Sequence, residues 1–144
     1  MEASVKNLCE KVKDLMRLPA TGDLTEYLKG ETAFLVLLKN SGKKTVTPSY
    51  LSDELGVTKG RITAIINSLS EKGMVTLGQV EGDRRKVDVR ITKAGVEYID
   101  KKLDNMGAFV NEFCNKMSKD KVDELISLID DAIAVMKDMR VSED

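Results

Sequence analysis

The sequence predicts a mainly α-helical chain that carries one small β-hairpin, and three observations carry that expectation. Apolar residues recur at helical spacing near the start, in Val5, Leu8, Val12, Leu15 and Met16. They recur again from Val96 through Ile99, Leu103, Met106, Val110, Phe113 and Met117, in alternating steps of three and four. Between these regions one short segment alternates instead: Val87, Val89 and Ile91 are apolar, and Asp88 and Arg90 between them are charged. Such a period of two is that of a strand with one buried face.

The elements follow in order. A first helix runs from Glu2 to Leu18, and "LPATGD", with Pro19 and Gly22, is expected to end it. The second has "ETAFLVLLKN" as its body and stops near Gly42; its Phe34, Leu35, Leu37 and Leu38 leave little polar face, so it belongs in the core. Thr47 then supplies an N-cap and Pro48 the first helical position. Leu51 and Leu55 lie one turn apart, and Gly56 stops that helix. Thr58 caps the next, whose Ile62, Ile65, Ile66 and Leu69 share one face before Gly73 closes it. Two short helices joined by a three- to four-residue turn with glycine form a helix-turn-helix. "MVTLGQV" then runs out as a strand, "EGDRRK" turns, and "VDVRIT" returns, with Val87, Val89 and Ile91 holding the hairpin to the domain. A helix-turn-helix followed directly by a hairpin is a winged helix, here expected over residues 30–95 of a single domain, 1–144. The last third holds two long helices, the second capped by Ser118 and carrying Val122, Leu125, Ile126, Ile129, Ala132, Ile133, Met136 and Met139. A compact winged helix has no place for them, so residues 1–20 and 96–140 are expected to form a helical dimerisation part. The alternative is a helical hairpin that caps a monomer.

Charge divides the chain. The net charge is −1, yet residues 59–93 hold eight cations against four anions and residues 97–144 hold seven against twelve. A basic middle beside an acidic end suggests that only the middle faces a polyanion. Ordinary surface scatter is the competing explanation. The outward face of the helix after Thr58 favours the first reading. Lys59, Gly60, Arg61, Thr63, Ala64 and Asn67 are small, polar or basic, which lets a backbone enter the major groove while Arg, Thr and Asn reach base edges. A merely solvated face usually carries more Glu and Lys. Arg84, Arg85 and Lys86 on the hairpin tip would reach the next stretch of DNA backbone or a narrow minor groove, where negative potential is concentrated.

Other chemistries find no footing. There is no histidine, and the two cysteines, Cys9 and Cys114, have no metal-ligand spacing, so no metal or cofactor is expected. No cofactor loop or distinctive carboxylate pair suggests an enzyme. No apolar stretch approaches the ~20 residues of a membrane span and the start lacks a signal-peptide core, so a soluble, cytoplasmic protein without a membrane partner is expected.

The order of elements and several motifs resemble the MarR family of winged-helix transcription regulators. "TPSYLSDELGVTKGRITAIINSLSEKGMV" is similar to the family's helix-turn-helix stretch, including its closing Leu69 and Gly73. "DRRKVDVRITKAG" is similar to its wing signature through Asp83, Arg85, Ile91, Thr92 and Gly95, and "MSKDKVDELISLI" to the opening of its last helix. The resemblance covers about residues 30–138. It implies a homodimer with interdigitated terminal helices, a palindromic double-stranded DNA operator, and commonly release by a small ligand. It implies that Arg85 enters the minor groove, that Asp83 orients an arginine, and that Thr58, Gly60, Arg61 and Thr63 meet DNA. Where many members carry Arg on the recognition helix, this chain has Ala64; Arg61, a turn earlier, stands in its place. The effector would be apolar or aromatic, with Leu15, Met16 and Phe34 as candidate lining residues. An alternative is a peroxide sensor, because some members place cysteines as Cys9 and Cys114 are placed here; both also suit small core positions. A further alternative is a winged helix that binds protein and not DNA.

Overall fold

The computed structural model of the chain describes residues 2–141. Its elements are α1 (Glu2–Met16), α2 (Pro19–Lys29), α3 (Glu31–Asn40), α4 (Pro48–Leu55), α5 (Lys59–Glu71), β1 (Val75–Val80), β2 (Asp83–Ile91), α6 (Lys93–Met117) and α7 (Lys119–Val141). They fall into two compact units, Met1–Lys102 and Leu103–Asp144.

In the first unit α3 is central. Thr32, Ala33, Phe34, Leu35 and Leu38 are buried on it, and it packs against α2, α4, α5 and β2. Leu51 of α4, Ile62 and Leu69 of α5, Val89 of β2 and Ile99 of α6 complete a core of fully buried side chains. The helix-turn-helix has the expected local chemistry. Thr47 Oγ1 accepts from the Tyr50 amide at 3.3 Å, and Thr58 Oγ1 accepts from the Arg61 amide at 3.2 Å. Gly56 ends α4 at φ +61, a left-handed conformation that suits a residue without Cβ. The Ser52 hydroxyl donates to the Val57 carbonyl at 2.6 Å and ties the turn back to α4.

One expected break is a helix instead. "LPATGD" opens α2, so only Arg17 and Leu18 separate it from α1. Proline lacks an amide hydrogen, but the first residue of a helix needs none, and Leu18 before it is extended at φ −69, ψ 138. Pro19 therefore starts a helix here, and Gly22 sits inside it. Gly30 joins α2 to α3. Its amide donates to the Glu26 carbonyl at 2.9 Å, while Glu26 Oε1 accepts from the Glu31 amide at 2.8 Å. The Glu26 carboxylate folds over Gly30 so closely that a Cβ there would collide with it.

β1 and β2 form an antiparallel hairpin closed at Glu81–Gly82, with Gly82 at φ +83. The turn is shorter than "EGDRRK" suggested: Asp83 already pairs with Val80, and the next pair is Val87 with Gln79. Arg84, Arg85 and Lys86 lie between those pairs with no residue opposite them, so they bulge from the ladder. Val87 is not part of the anchor. It is 37% exposed, because the core reaches only as far as Val89 and Val75 beneath the base of the hairpin.

In the second unit the end of α6 meets α7 at Ser118, which has φ +70. Many of its large apolar side chains are exposed, among them Phe109, Phe113, Ile126, Ile129 and Ile133. In the first unit α1 likewise buries none of its residues and exposes Val5, Leu8, Val12 and Leu15.

Candidate nucleic-acid interface

Packing sorts the two faces of α5. Ile62, Ile65, Ile66 and Leu69 are buried. Thr58, Lys59, Gly60, Arg61, Thr63, Ala64 and Asn67 are all exposed. Two of the hydroxyls are already engaged: Thr58 caps the helix, and Thr63 Oγ1 donates to the Lys59 carbonyl at 3.0 Å. The side chains of Arg61 and Asn67 are exposed, and the free amides of the first turn of α5 favour an anion beside them.

The hairpin presents Arg84, Arg85 and Lys86 as consecutive exposed cations. Asp83 shapes their start. Its Oδ1 accepts from the Arg85 amide at 3.0 Å, so the contact orients the arginine's backbone.

The hairpin is braced at its base by a contact with no local sequence signal. Asp88, half-buried on β2, accepts from the Val46 amide at 2.9 Å and from Arg90 Nε at 2.7 Å. The Val89 amide donates to the Val46 carbonyl at 2.8 Å, so the segment before α4 runs along the wing. The Val46 amide above all, with Arg90 beside it, holds the Asp88 carboxyl below its ordinary range against the opposing effect of burial. Thr92 performs a similar task where β2 meets α6. Its hydroxyl donates to the Gly73 carbonyl at 2.7 Å and accepts from the Gly95 amide at 3.1 Å. Gly95 is buried against the Met74 carbonyl and the Ile91 side chain, where any Cβ would collide with backbone. The wing signature therefore fixes the joint between wing and helix as well as the cations.

A second connection braces α5. Lys72, the C-cap of α5, donates to Glu31 Oε2 at 2.7 Å from the start of α3. Burial pushes the Glu31 carboxyl up, but the Lys72 and Ser68 hydrogen bonds, with the charges of Lys72 and Arg61, outweigh it and hold it below its usual range. The same hydrogen bond raises Lys72. Neither partner announced itself in the sequence, because 41 positions separate them.

The remaining candidates lie in unlike surroundings. Leu15 and Met16 are exposed on α1, whereas Phe34 is wholly buried in α3. Cys9 is exposed and Cys114 half-exposed, each with a free thiol. Among the described residues no group of His, Cys, Asp and Glu could hold a metal ion, and no helix is long and apolar enough to cross a membrane.

Comparison with known proteins agrees with this arrangement. A family model of the MarR family matches residues 30–86, the span from α3 to the tip of the wing. The HTH-type transcriptional repressor YetL of Bacillus subtilis is 23% identical over 113 residues, covering 76% of this chain and 68% of that protein. The transcriptional repressor MprA of Escherichia coli is 26% identical over 97 residues, covering 66% of this chain and 55% of the relative. Among solved structures, Streptococcus pneumoniae FabT in complex with DNA superposes with a TM-score of 0.66 at 22% identity, covering 96% of this chain and 98% of FabT. The matched span is the one that holds the two-helix turn, the outward polar face of α5 and the cationic bulge, and over it the chain is similar to the MarR family.

Proposed function

We propose that the chain is a sequence-specific DNA-binding repressor that acts as a homodimer on a palindromic operator. The observation that carries this reading is the pairing of an exposed recognition face, Lys59 to Asn67, with a three-cation bulge in the hairpin beside it. α5 would enter the major groove, with Arg61 and Asn67 reading bases and Thr58, Lys59, Gly60, Thr63 and Ala64 at the surface of contact. Arg84, Arg85 and Lys86 would meet phosphates or the adjacent minor groove, and Asp83 would hold Arg85 in place. The likeness to FabT, a protein solved in complex with DNA, supports the same partner for this chain.

The exposed apolar faces of α1 and α7 support the dimer. Leu8 is 65% exposed and Ile129 49%, and burying such side chains contributes about 1.5–3 kcal/mol each. In this reading residues 30–95 serve DNA, and residues 1–20 and 96–140 serve the dimer. Two recognition helices would then stand ~34 Å apart, one helical turn of DNA. The working place of such a protein is the cytoplasm, and its role requires no catalytic step. Release by a small apolar or aromatic effector belongs to the same family reading.

A gel shift with duplex DNA from the region upstream of the protein's own gene tests the proposal. A discrete complex that survives excess unrelated duplex supports it. Binding equal to that of unrelated duplex overturns it in favour of a protein-binding winged helix.

A further inference from the structure

We propose that Glu31 is a positioning residue for sequence recognition: its carboxylate draws the Arg61 side chain toward the α2–α3 side of the recognition helix and so selects the base that Arg61 reads. The inference rests on the DNA-binding reading above.

The geometry begins with a stripe on α5. Arg61, Ala64, Ser68 and Lys72 follow one another at steps of three, four and four, so they lie along one side of the helix. That side faces the junction of α2 and α3. Glu26, Glu31, Arg61, Ala64 and Ile65 line one cleft there, of about 400 Å³. Ala64 keeps the cleft open, since a long side chain at that position would fill it. Position 64 thus leaves a space beside Arg61.

The two carboxylates in the cleft differ in their commitments. Glu26 Oε1 caps α3 through the Glu31 amide. Glu31 holds Lys72 at 2.7 Å and is hydrogen-bonded to Ser68, and the charge of Arg61 also acts on it. Its side chain is only 21% exposed, so its charge is screened less than that of a surface glutamate. Lys72 is fixed at the far end of the stripe. Arg61 is not fixed: among the described residues no ion pair engages its guanidinium, and its backbone amide alone is held, by Thr58. A long, flexible cation at the first turn of a recognition helix can reach several base edges. A fixed negative charge on one side narrows that choice before DNA arrives, which is how a supporting residue preorganises a contact.

The test is a binding selection from a pool of randomised duplex DNA, sequenced for the full-length chain and its variants. In Glu31→Gln, which keeps the shape and removes the charge, preference at one base position of each half-site should change by about fivefold or more, the scale of one directed base contact. Glu31→Asp, which keeps the charge, should retain the original preference. Lys72→Met removes the tie to α5 and leaves the Glu31 charge, so it should also retain it. In an Arg61→Ala background, Glu31→Gln should change nothing further. Identical preferences in the wild type and Glu31→Gln overturn the proposal. So does the same change in Lys72→Met, or one that persists without Arg61, since either would assign Glu31 a purely structural role. A wild type that enriches no motif overturns the DNA-binding reading itself, an outcome distinct from an enriched motif indifferent to Glu31.

Discussion

Val46 and Asp88 hold the wing in place from 42 positions apart: the Val46 amide donates to the Asp88 carboxylate at 2.9 Å, and its carbonyl accepts from the next residue, Val89, at 2.8 Å. The hairpin has only two strands, and an isolated pair of that kind is marginal in water. The added bonds from the segment before α4 join it to the buried Val46 and Val89, and so to the core.

Asp88→Ala should therefore destabilise the fold by about 1–3 kcal/mol, because it leaves the amide of buried Val46 without its acceptor. Urea unfolding would measure it. The sign of the pH effect follows from the depressed carboxyl. A group whose pKa is lower folded than unfolded contributes stability above its unfolded value, near 4, and loses it as pH falls through the folded value. Acid unfolding of the wild type should steepen below about pH 4, and Asp88→Asn should flatten that part of the curve.

Gly95→Ala should cost about 1–3 kcal/mol, the usual effect of forcing a methyl group into a packed site. The added Cβ meets the Met74 carbonyl, which belongs to backbone and cannot turn aside. A lowered melting temperature in calorimetry would show it, while Gly78→Ala, where nothing lies within 4 Å, should cost less.

Arg85→Ala should weaken binding to specific and unrelated duplex alike and reduce the salt dependence of affinity by about one ion. Asn67→Ala should instead lose preference among sequences, at about 1–3 kcal/mol for the base pair concerned, with little change in salt dependence. Anisotropy titrations at several salt concentrations separate the two effects. An Arg85→Ala protein with unchanged affinity and slope would remove the wing from the interface.

Leu8→Glu and Ile129→Glu should each shift the chain toward monomer. Both positions are exposed in the single chain, so neither change disturbs its core. Sedimentation velocity would show the mass halve, and operator affinity should fall with it, because one recognition helix reads only half a palindrome.

Much of this was legible in the sequence because it depends on near neighbours. The caps at Thr47 and Thr58, the stop at Gly56, the isoleucine face of α5 and the long helices are set by contacts within a few residues. The outward residues from Lys59 to Asn67 could be named for the same reason: a helix with one apolar face leaves its other face to solvent. Local signals also misled. Pro19 and Gly22 read as a break because proline is compatible with both a loop and the first turn of a helix, and only the packing of α2 against α3 decides between them. The alternation at Val87 implied burial, yet the core ends at Val89. Tertiary structure alone decided the bulge that sets out Arg84, Arg85 and Lys86, the brace between Val46 and Asp88, and the cleft where Glu31 meets α5. The last two join residues about forty positions apart, and their energies exist only once the chain has folded and brought the partners within a few ångströms.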